Sequence, residues 1–329
     1  MACRCGWRTK RLNDHLTLQD FEAARDRIRG RVRETPMFDP RPHGTNLDGG
    51  AGAHVLLKLE CLQASGSFKA RGAMNKLSTL SGEALAAGLI TASGGNHGMA
   101  VAWAAGNAGV PATVYLPEST PATKADALRA LGAEVIIEGA VWDDANAAAL
   151  KVAKSSGATY VHPFADPAII AGQGTLGLEI MEQAADADTI IVAIGGGGLM
   201  AGVATAVKAV NPAVKLIGVE PTGAPTLYES LKAKELVTLD AIETTAGSLA
   251  PRRSMPLNYE LISASVDRMC LVSDEEMRDA AQLLWRDFGI ATELAGAASV
   301  AALMTGRHVP QPGERVVAIV CGAGKDGFG

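Results

Sequence analysis

Residues 189–210 read Thr-Ile-Ile-Val-Ala-Ile-Gly-Gly-Gly-Gly-Leu-Met-Ala-Gly-Val-Ala-Thr-Ala-Val-Lys-Ala-Val. The apolar run 189–194 has the character of a strand covered on both faces. Four glycines follow, and then a stretch of small and apolar residues that suits a buried helix. Strand, glycine turn and helix make the first half of a βαβ unit. The same alternation continues outward in both directions. Segments 54–60, 89–92, 113–116, 134–137, 215–219 and 315–320 are further strand candidates. Helix candidates are 96–106, 123–131, 143–154, 199–210 and 273–289, with a capping box at Ser273-x-x-Glu276 opening the last. Thr17 and Asp20 make a similar start for a helix carrying Phe21, Ala24 and Ile28 and running to residue 33. The expected fold class is therefore α/β with mostly parallel sheets.

Right-handed crossovers put the ligand of such a sheet at the carboxyl ends of its strands. Three glycine-bearing loops fall at those ends: Ser93-Gly-Gly-Asn-His-Gly98, Gly195 to Gly198, and Gly322-Ala-Gly324. Glycine is prominent in the composition as well, with 37 residues among 329, while aromatic residues are only 4%. No Gly-X-Y period exists, which excludes a collagen-like chain. A formal net charge of −5 and few aromatics argue against nucleic-acid binding, which wants a basic patch and stacking rings. No apolar run reaches the roughly 20 residues of a membrane span. The five cysteines (Cys3, Cys5, Cys61, Cys270 and Cys321) are odd in number and form neither a disulfide framework nor a paired zinc motif. With no apolar signal core near the N-terminus, a cytoplasmic location is expected, and residues 1–13 read as a loosely attached tail.

Four constellations carry chemistry. In Ser65-Gly-Ser-Phe-Lys-Ala-Arg-Gly-Ala73, Lys69 stands where a loop turns into an apolar helix. A helix N-terminus disfavours a cation, so the dipole depresses its pKa and favours a nucleophilic amine, as a Schiff-base lysine requires. The plain alternative is an exposed lysine at a helix start. Gly195 to Gly198, between strand and helix, can bind a phosphate through bare amides. The same stretch, as Gly196-x-Gly198-x-x-Ala201 with Glu220 further on, also satisfies a dinucleotide fingerprint and so leaves an oxidoreductase open. That fingerprint sits mid-chain, however, and leaves Lys69 unused. The Ser93–Gly98 loop offers Ser93, Asn96 and His97 side chains with free amides, either as a carboxylate cradle or as a simple helix cap. Cys321, ending the last apolar strand, is either a small core residue or part of the site.

In this order the sites resemble the fold-type II pyridoxal-phosphate enzymes, and within them the serine/threonine dehydratases. The resemblance runs from Leu16 to Gly324 and also rests on His162-Pro-Phe164, Ile170-Ala-Gly-Gln-Gly-Thr-Leu-Gly-Leu-Glu179, Gly218-Val-Glu-Pro221 and Glu293-Leu-Ala-Gly-Ala297. It implies two three-layer domains with open twisted sheets, like the tryptophan synthase β chain. Residues 1–85 with 166–329 would form a large cofactor-binding domain and 86–165 a small inserted one. It also implies pyridoxal 5'-phosphate held by Lys69 as a Schiff base. Gly195, Gly196, Gly197, Gly198 and Leu199 would hold the phosphate, and Phe68 would pack beside the ring. Asn96 would meet the ring hydroxyl, and Cys321 the pyridine nitrogen. Ser93, Gly95, Asn96 and His97 would bind the carboxylate of a small amino-acid substrate. The implied reaction is α,β-elimination from L-threonine or L-serine, giving a 2-oxo acid and ammonia. Another β-hydroxy substrate (3-hydroxyaspartate or phenylserine) and a non-catalytic cofactor-binding protein are the alternatives, and a homodimer is expected. A thiol facing the ring nitrogen leaves that nitrogen unprotonated and favours elimination over transamination.

The chain departs from the family in four places. Serine racemases carry a second serine where this chain has Gly94, so little racemisation is expected. In many relatives a metal lies near the strand ending in Gly-Val-Glu-Pro. Here Glu220 and the Ala224 carbonyl match, but Thr226 replaces the Asp, and no metal is assigned. Residues 246–254 lie where relatives have an Asp-Gly pair. A C-terminal regulatory domain, as in feedback-inhibited threonine deaminases, is not expected.

Overall fold

The computed structural model describes residues 16–41, 47 and 50–328. Its strands are β1 (Met37–Phe38), β2 (His54–Lys58), β3 (Leu89–Ala92), β4 (Ala112–Leu116), β5 (Glu134–Ile137), β6 (Thr159–Tyr160), β7 (Thr189–Ala193), β8 (Lys215–Pro221), β9 (Arg268–Val272) and β10 (Arg315–Ile319). They form two sheets, ordered β1-β2-β10-β7-β8-β9 and β5-β4-β3-β6. Every pairing is parallel except the short β1–β2 pair. Helices on both faces of the larger sheet bury β7 completely, which is why its sequence is apolar without alternation. No helix among the described residues is long and apolar enough to cross a membrane.

Helices Pro167–Gln183 and Gly198–Val210 lie almost backbone to backbone. A Cβ added at Gly202 would stand 2.5 Å from the Ile170 carbonyl oxygen, and one at Gly174 would stand 3.0 Å from that of Gly202. Glycine is required there by close approach rather than by a turn. The helix at 167–183 was not among those expected, because its three glycines (Gly172, Gly174 and Gly177) read as breakers in a linear pattern. Strand β9 was missed because it is partly exposed and opens on Arg268. The first helix ends at Ile28, not at residue 33, and Gly30 follows in a left-handed conformation at φ 72°. Strand β2 stops at Lys58, and Glu60 begins a 3-10 turn. The expected tail at 1–13, with Cys3 and Cys5, lies outside the described residues.

Beneath the larger sheet's first helical layer runs a cluster of buried charge. Arg71 is 2% exposed and grips Glu60 with two bonds, Nε to Oε2 at 2.8 Å and Nη2 to Oε1 at 2.7 Å. Its Nη2 also lies 2.8 Å from Glu179 Oε2. Lys58 Nζ donates to Glu179 Oε1 and to Gln183 Oε1, each at 2.6 Å, and to the Thr35 carbonyl at 2.7 Å. Burial pushes the Glu179 carboxyl up, but Arg71 and Lys58 outweigh it, so the group sits below its ordinary range. Two buried cations, the buried Glu60 and the half-buried Glu179 thus tie helix Lys69–Ser78 to β2, to the 3-10 turn at Glu60 and to helix Pro167–Gln183. Removing one member leaves an unpaired buried charge. Arg71→Met is expected to cost about 3–5 kcal/mol of stability. The denaturant midpoint at unchanged slope measures this, and a loss below about 1 kcal/mol would refute it.

Candidate active site

Lys69 is the first residue of helix Lys69–Ser78. The turn before it is built from left-handed residues, Ser65 at φ 57° and Gly66 at φ 80°. Ser67 then bridges to Gly322, the Phe68 amide donates to the Cys321 carbonyl at 3.2 Å, and the Ala323 amide donates to the Gly66 carbonyl at 2.8 Å. The lysine turn is therefore sewn to the chain leaving β10. Lys69 Nζ donates to the Pro163 carbonyl at 2.6 Å and lies 5.2 Å from the centre of the Phe68 ring. Burial lowers its pKa to about 8, against weaker opposing pulls from Cys321 and Glu293. Desolvation is thus the main cause of the depression, a cause the linear sequence does not display.

After β7 the chain turns through Gly195 to Gly198, with Gly197 at φ 90°. The Gly196 carbonyl accepts from Ser254 Oγ at 3.0 Å and Asn258 Nδ2 at 2.8 Å, both on fully buried residues. The amides of Gly196, Gly197 and Gly198 reach no acceptor among the described residues, and Gly197 and Gly198 are buried. Unsatisfied buried amides are rare, and here they open a helix of 13 residues, Gly198–Val210. This arrangement fits a phosphate. The glycines are also needed for packing, since a Cβ on Gly196 would stand 2.3 Å from the Phe164 ring.

The third loop follows β3. Ser93 Oγ accepts from the Gly95 amide at 3.3 Å, and Asn96 opens helix Asn96–Ala108. The amides of Asn96 and His97 make no hydrogen bond among the described residues. The His97 ring turns away to the Val161 carbonyl, 3.0 Å from Nε2. Burial drops its pKa to about 3, so it is neutral, and Nε2 donates that bond. His162 is held neutral in the same way, at about 4, with Nδ1 accepting the Phe164 and Ala165 amides. Cys321 Sγ donates to the Ala295 carbonyl at 3.4 Å, and burial pushes its thiol up, so it too is uncharged.

Several contacts here fall on residues to which the sequence reading gave no role. Glu293 accepts from Asn96 Nδ2 at 2.7 Å and from Ser248 Oγ at 3.0 Å. Phe164 packs on the phosphate-type turn, and Asn258 Nδ2 bridges the Phe164 and Gly196 carbonyls. Glu293 precedes an alanine-rich helix, which makes it look like an ordinary cap, and Asn258 lies in a segment with no motif. Glu220 is fully buried and accepts the Leu227 and Tyr228 amides at 2.9 and 2.7 Å, while burial raises its pKa to about 8. Its carboxylate caps helix Thr226–Ala233, and Thr226 Oγ1 donates to the Pro251 carbonyl. Among the described residues no three His, Cys, Asp or Glu side chains gather as a metal site.

The comparisons with known proteins agree with this geometry. A family described as pyridoxal-phosphate dependent enzyme matches residues 28–322, and the chain belongs to that family. L-threonine ammonia-lyase from Thermotoga maritima is 40% identical over 311 residues, 94% of this chain and 76% of that protein. Phenylserine dehydratase from Ralstonia pickettii is 40% identical over 319 residues, 95% of each. The structure of maize serine racemase superposes with a TM-score of 0.89 at 32% identity, covering 94% of both chains. The dinucleotide reading of Gly196 to Ala201 is set aside accordingly.

The state of Lys69 is open to measurement in the cofactor-free protein. An amine-directed acylating reagent, followed by peptide mapping, is expected to modify Lys69 with a midpoint near pH 8, because the amine is charged below that pH and nucleophilic above it. Exposed lysines need a pH about two units higher. A midpoint for Lys69 equal to theirs would contradict the burial argument.

Proposed function

We propose that this member of the pyridoxal-phosphate-dependent family is a dehydratase, or ammonia-lyase, acting on L-threonine or L-serine. The product is a 2-oxo acid plus ammonia. The observation that carries the reading is one site holding a partly desolvated lysine, a glycine turn with unpaired buried amides, and a neutral thiol. The identity to an L-threonine ammonia-lyase supports it.

In this reading Lys69 carries the cofactor, and the amides of Gly195 to Leu199 receive the phosphate with the positive end of their helix. Phe68 would line the ring, Asn96 Nδ2 would meet the ring hydroxyl, and the Cys321 thiol would face the ring nitrogen without protonating it. Pyridoxal phosphate, when bound, supplies the electron sink that makes the substrate's α-hydrogen acidic. Ser93 and the amides of Gly95, Asn96 and His97 orient the substrate carboxylate. The Lys69 amine, freed by the incoming substrate, takes the α-proton. The α-proton taken by Lys69 and the departing β-hydroxyl together make the one water lost, and the released enamine takes up one water to give the 2-oxo acid and ammonia.

The residues around the smaller sheet, 86–165, would act as the moving domain against 1–85 and 166–329. Closure would bring the Ser93 loop to Lys69 and exclude water. A cytoplasmic homodimer completes the proposal. The second reading, a substrate with a bulkier β-substituent such as phenylserine, is favoured by the full-length match to a phenylserine dehydratase.

Gly94 bears on stereochemistry. A Cβ there would lie 3.2 Å from Thr120 Cγ2 and 3.3 Å from Leu116 Cδ2, so the loop packs tightly around a residue that has no proton to give. Base chemistry is then confined to the Lys69 side of the substrate.

Two measurements test the proposal. Protein saturated with cofactor should show a visible absorption band that Lys69→Ala abolishes, and should release ammonia from threonine, serine or phenylserine. A protein with no band, or with a band but no ammonia from any β-hydroxy amino acid, would falsify it. Chiral analysis with L-serine should find 2-oxo acid but almost no D-serine, and D-serine formed as fast as ammonia would remove Gly94 from the argument.

A further inference from the structure

The site contains one hydrogen-bonded chain that joins the two sheets. Asn96 follows β3 of the smaller sheet, and Glu293 lies immediately before helix Leu294–Met304 of the larger unit. Each oxygen of the Glu293 carboxylate takes one donor: Oε1 from Asn96 Nδ2 at 2.7 Å, Oε2 from Ser248 Oγ at 3.0 Å. The backbone at Glu293 is fixed too. Its amide donates to the Gly322 carbonyl at 3.3 Å, Thr292 Oγ1 donates to the same oxygen at 2.7 Å, and the Leu294 amide donates to Asp326 Oδ2 at 2.8 Å. A Cβ on Gly322, the residue after Cys321, would lie 2.7 Å from Glu293 Oε1 and 3.2 Å from Asn96 Nδ2. The pair therefore sits directly over the end of the last strand.

An asparagine amide is ambiguous, since its two ends are alike in shape and opposite in hydrogen bonding. Burial raises the pKa of the Glu293 carboxyl, while the bonds from Ser248 and Asn96 favour its ionised form; with both oxygens already accepting, it accommodates the NH2 end and repels the oxygen end. We propose that Glu293 is a positioning residue: held by Ser248, its carboxylate sets the Asn96 amide so that the second N–H of Nδ2 faces the ring hydroxyl of the bound cofactor. The inference rests on the cofactor-binding reading above and adds to it the part that makes Asn96 a donor. Phosphate affinity then comes from the glycine turn, and ring affinity depends on a carboxylate that itself touches no cofactor atom.

The test uses the full chain and pyridoxal 5'-phosphate as the probe. Cofactor Kd is read by quenching of tryptophan fluorescence, the visible band by absorbance, and the fold of each apoprotein by its urea midpoint. Glu293→Gln keeps the shape but lets the amide flip, and is expected to raise the Kd about tenfold and to change the position or pH-independent shape of the band, with the urea midpoint unmoved. Ser248→Ala, on an exposed side chain, should shift both in the same direction by about twofold to threefold. Asn96→Ala should weaken binding as Glu293→Gln does, and the double variant should be no worse than either single one, because the two residues act through one contact. Additive effects, or a Glu293→Gln protein with wild-type Kd and band, would overturn the positioning role while leaving the cofactor site standing. A wild-type chain that takes up no cofactor would overturn both.

Discussion

The placement of Lys69 depends on the ion cluster beneath it. Arg71 lies two residues further along the same helix, and its fork on Glu60 fixes the rotation of that helix about its axis. Glu179 and Lys58 extend the lock to helix Pro167–Gln183 and to strand β2. An apolar side chain at 71 could fill the same volume, but it would not specify a single angle. A bidentate guanidinium does, because both bonds must be made at once. Such clusters are poor sources of net stability, since desolvation offsets most of the attraction. What this one contributes is direction: with the helix rotation set, the Lys69 amine emerges toward Pro163 and the turn after β10.

Around that fixed lysine the chemistry collects at the carboxyl ends of parallel strands. Ser93 leaves β3, Gly195 leaves β7 and Cys321 leaves β10, each loop opening toward the same side of its sheet. Parallel strands make this inevitable, because each must return by a crossover and all their exits share one edge. The two sheets stay separate in hydrogen bonding, yet helix Lys69–Ser78 packs its Ala73, Met74 and Leu77 into the apolar cluster that holds Ala100, Val101 and Ala104 of helix Asn96–Ala108. One helix thus presents the lysine at its first turn and supports the smaller unit along its flank.

Much of this was legible in the sequence, and the illegible part follows a pattern. Runs such as 189–193 and 315–319 declare themselves because strands buried on both faces need no polar alternation. The capping box at Ser273 was readable because both of its members lie within one turn of chain, and the structure closes it at 2.7 and 3.1 Å. Helix Pro167–Gln183 was not readable, since its glycines serve a neighbour distant in sequence rather than a local turn. The motif holding Glu293 was visible, but its role was not, for the same reason: its partners, Asn96 and Ser248, lie 197 and 45 positions away. Local chemistry is written in local residues, whereas contacts between distant segments appear only once the chain is folded. The depressed pKa of Lys69 shows both sides, for the helix start was visible and the dominant burial was not.

The electrostatic character of the site follows from those distant contacts. His97 and His162 are held neutral by burial, Cys321 stays a thiol, and the glycine turn contributes no charged side chain. An anion entering this pocket meets amides and helix termini rather than arginines or fixed ammonium groups. Amides bind a phosphate without adding a positive charge that would further suppress protonation of the lysine. They also add no side-chain acid or base that could protonate or deprotonate the substrate. Of Lys69, His97, His162 and Cys321, the one whose protonation changes near neutral pH is Lys69, at about 8. Gly94, in the loop after β3, has no side chain that could carry a second proton.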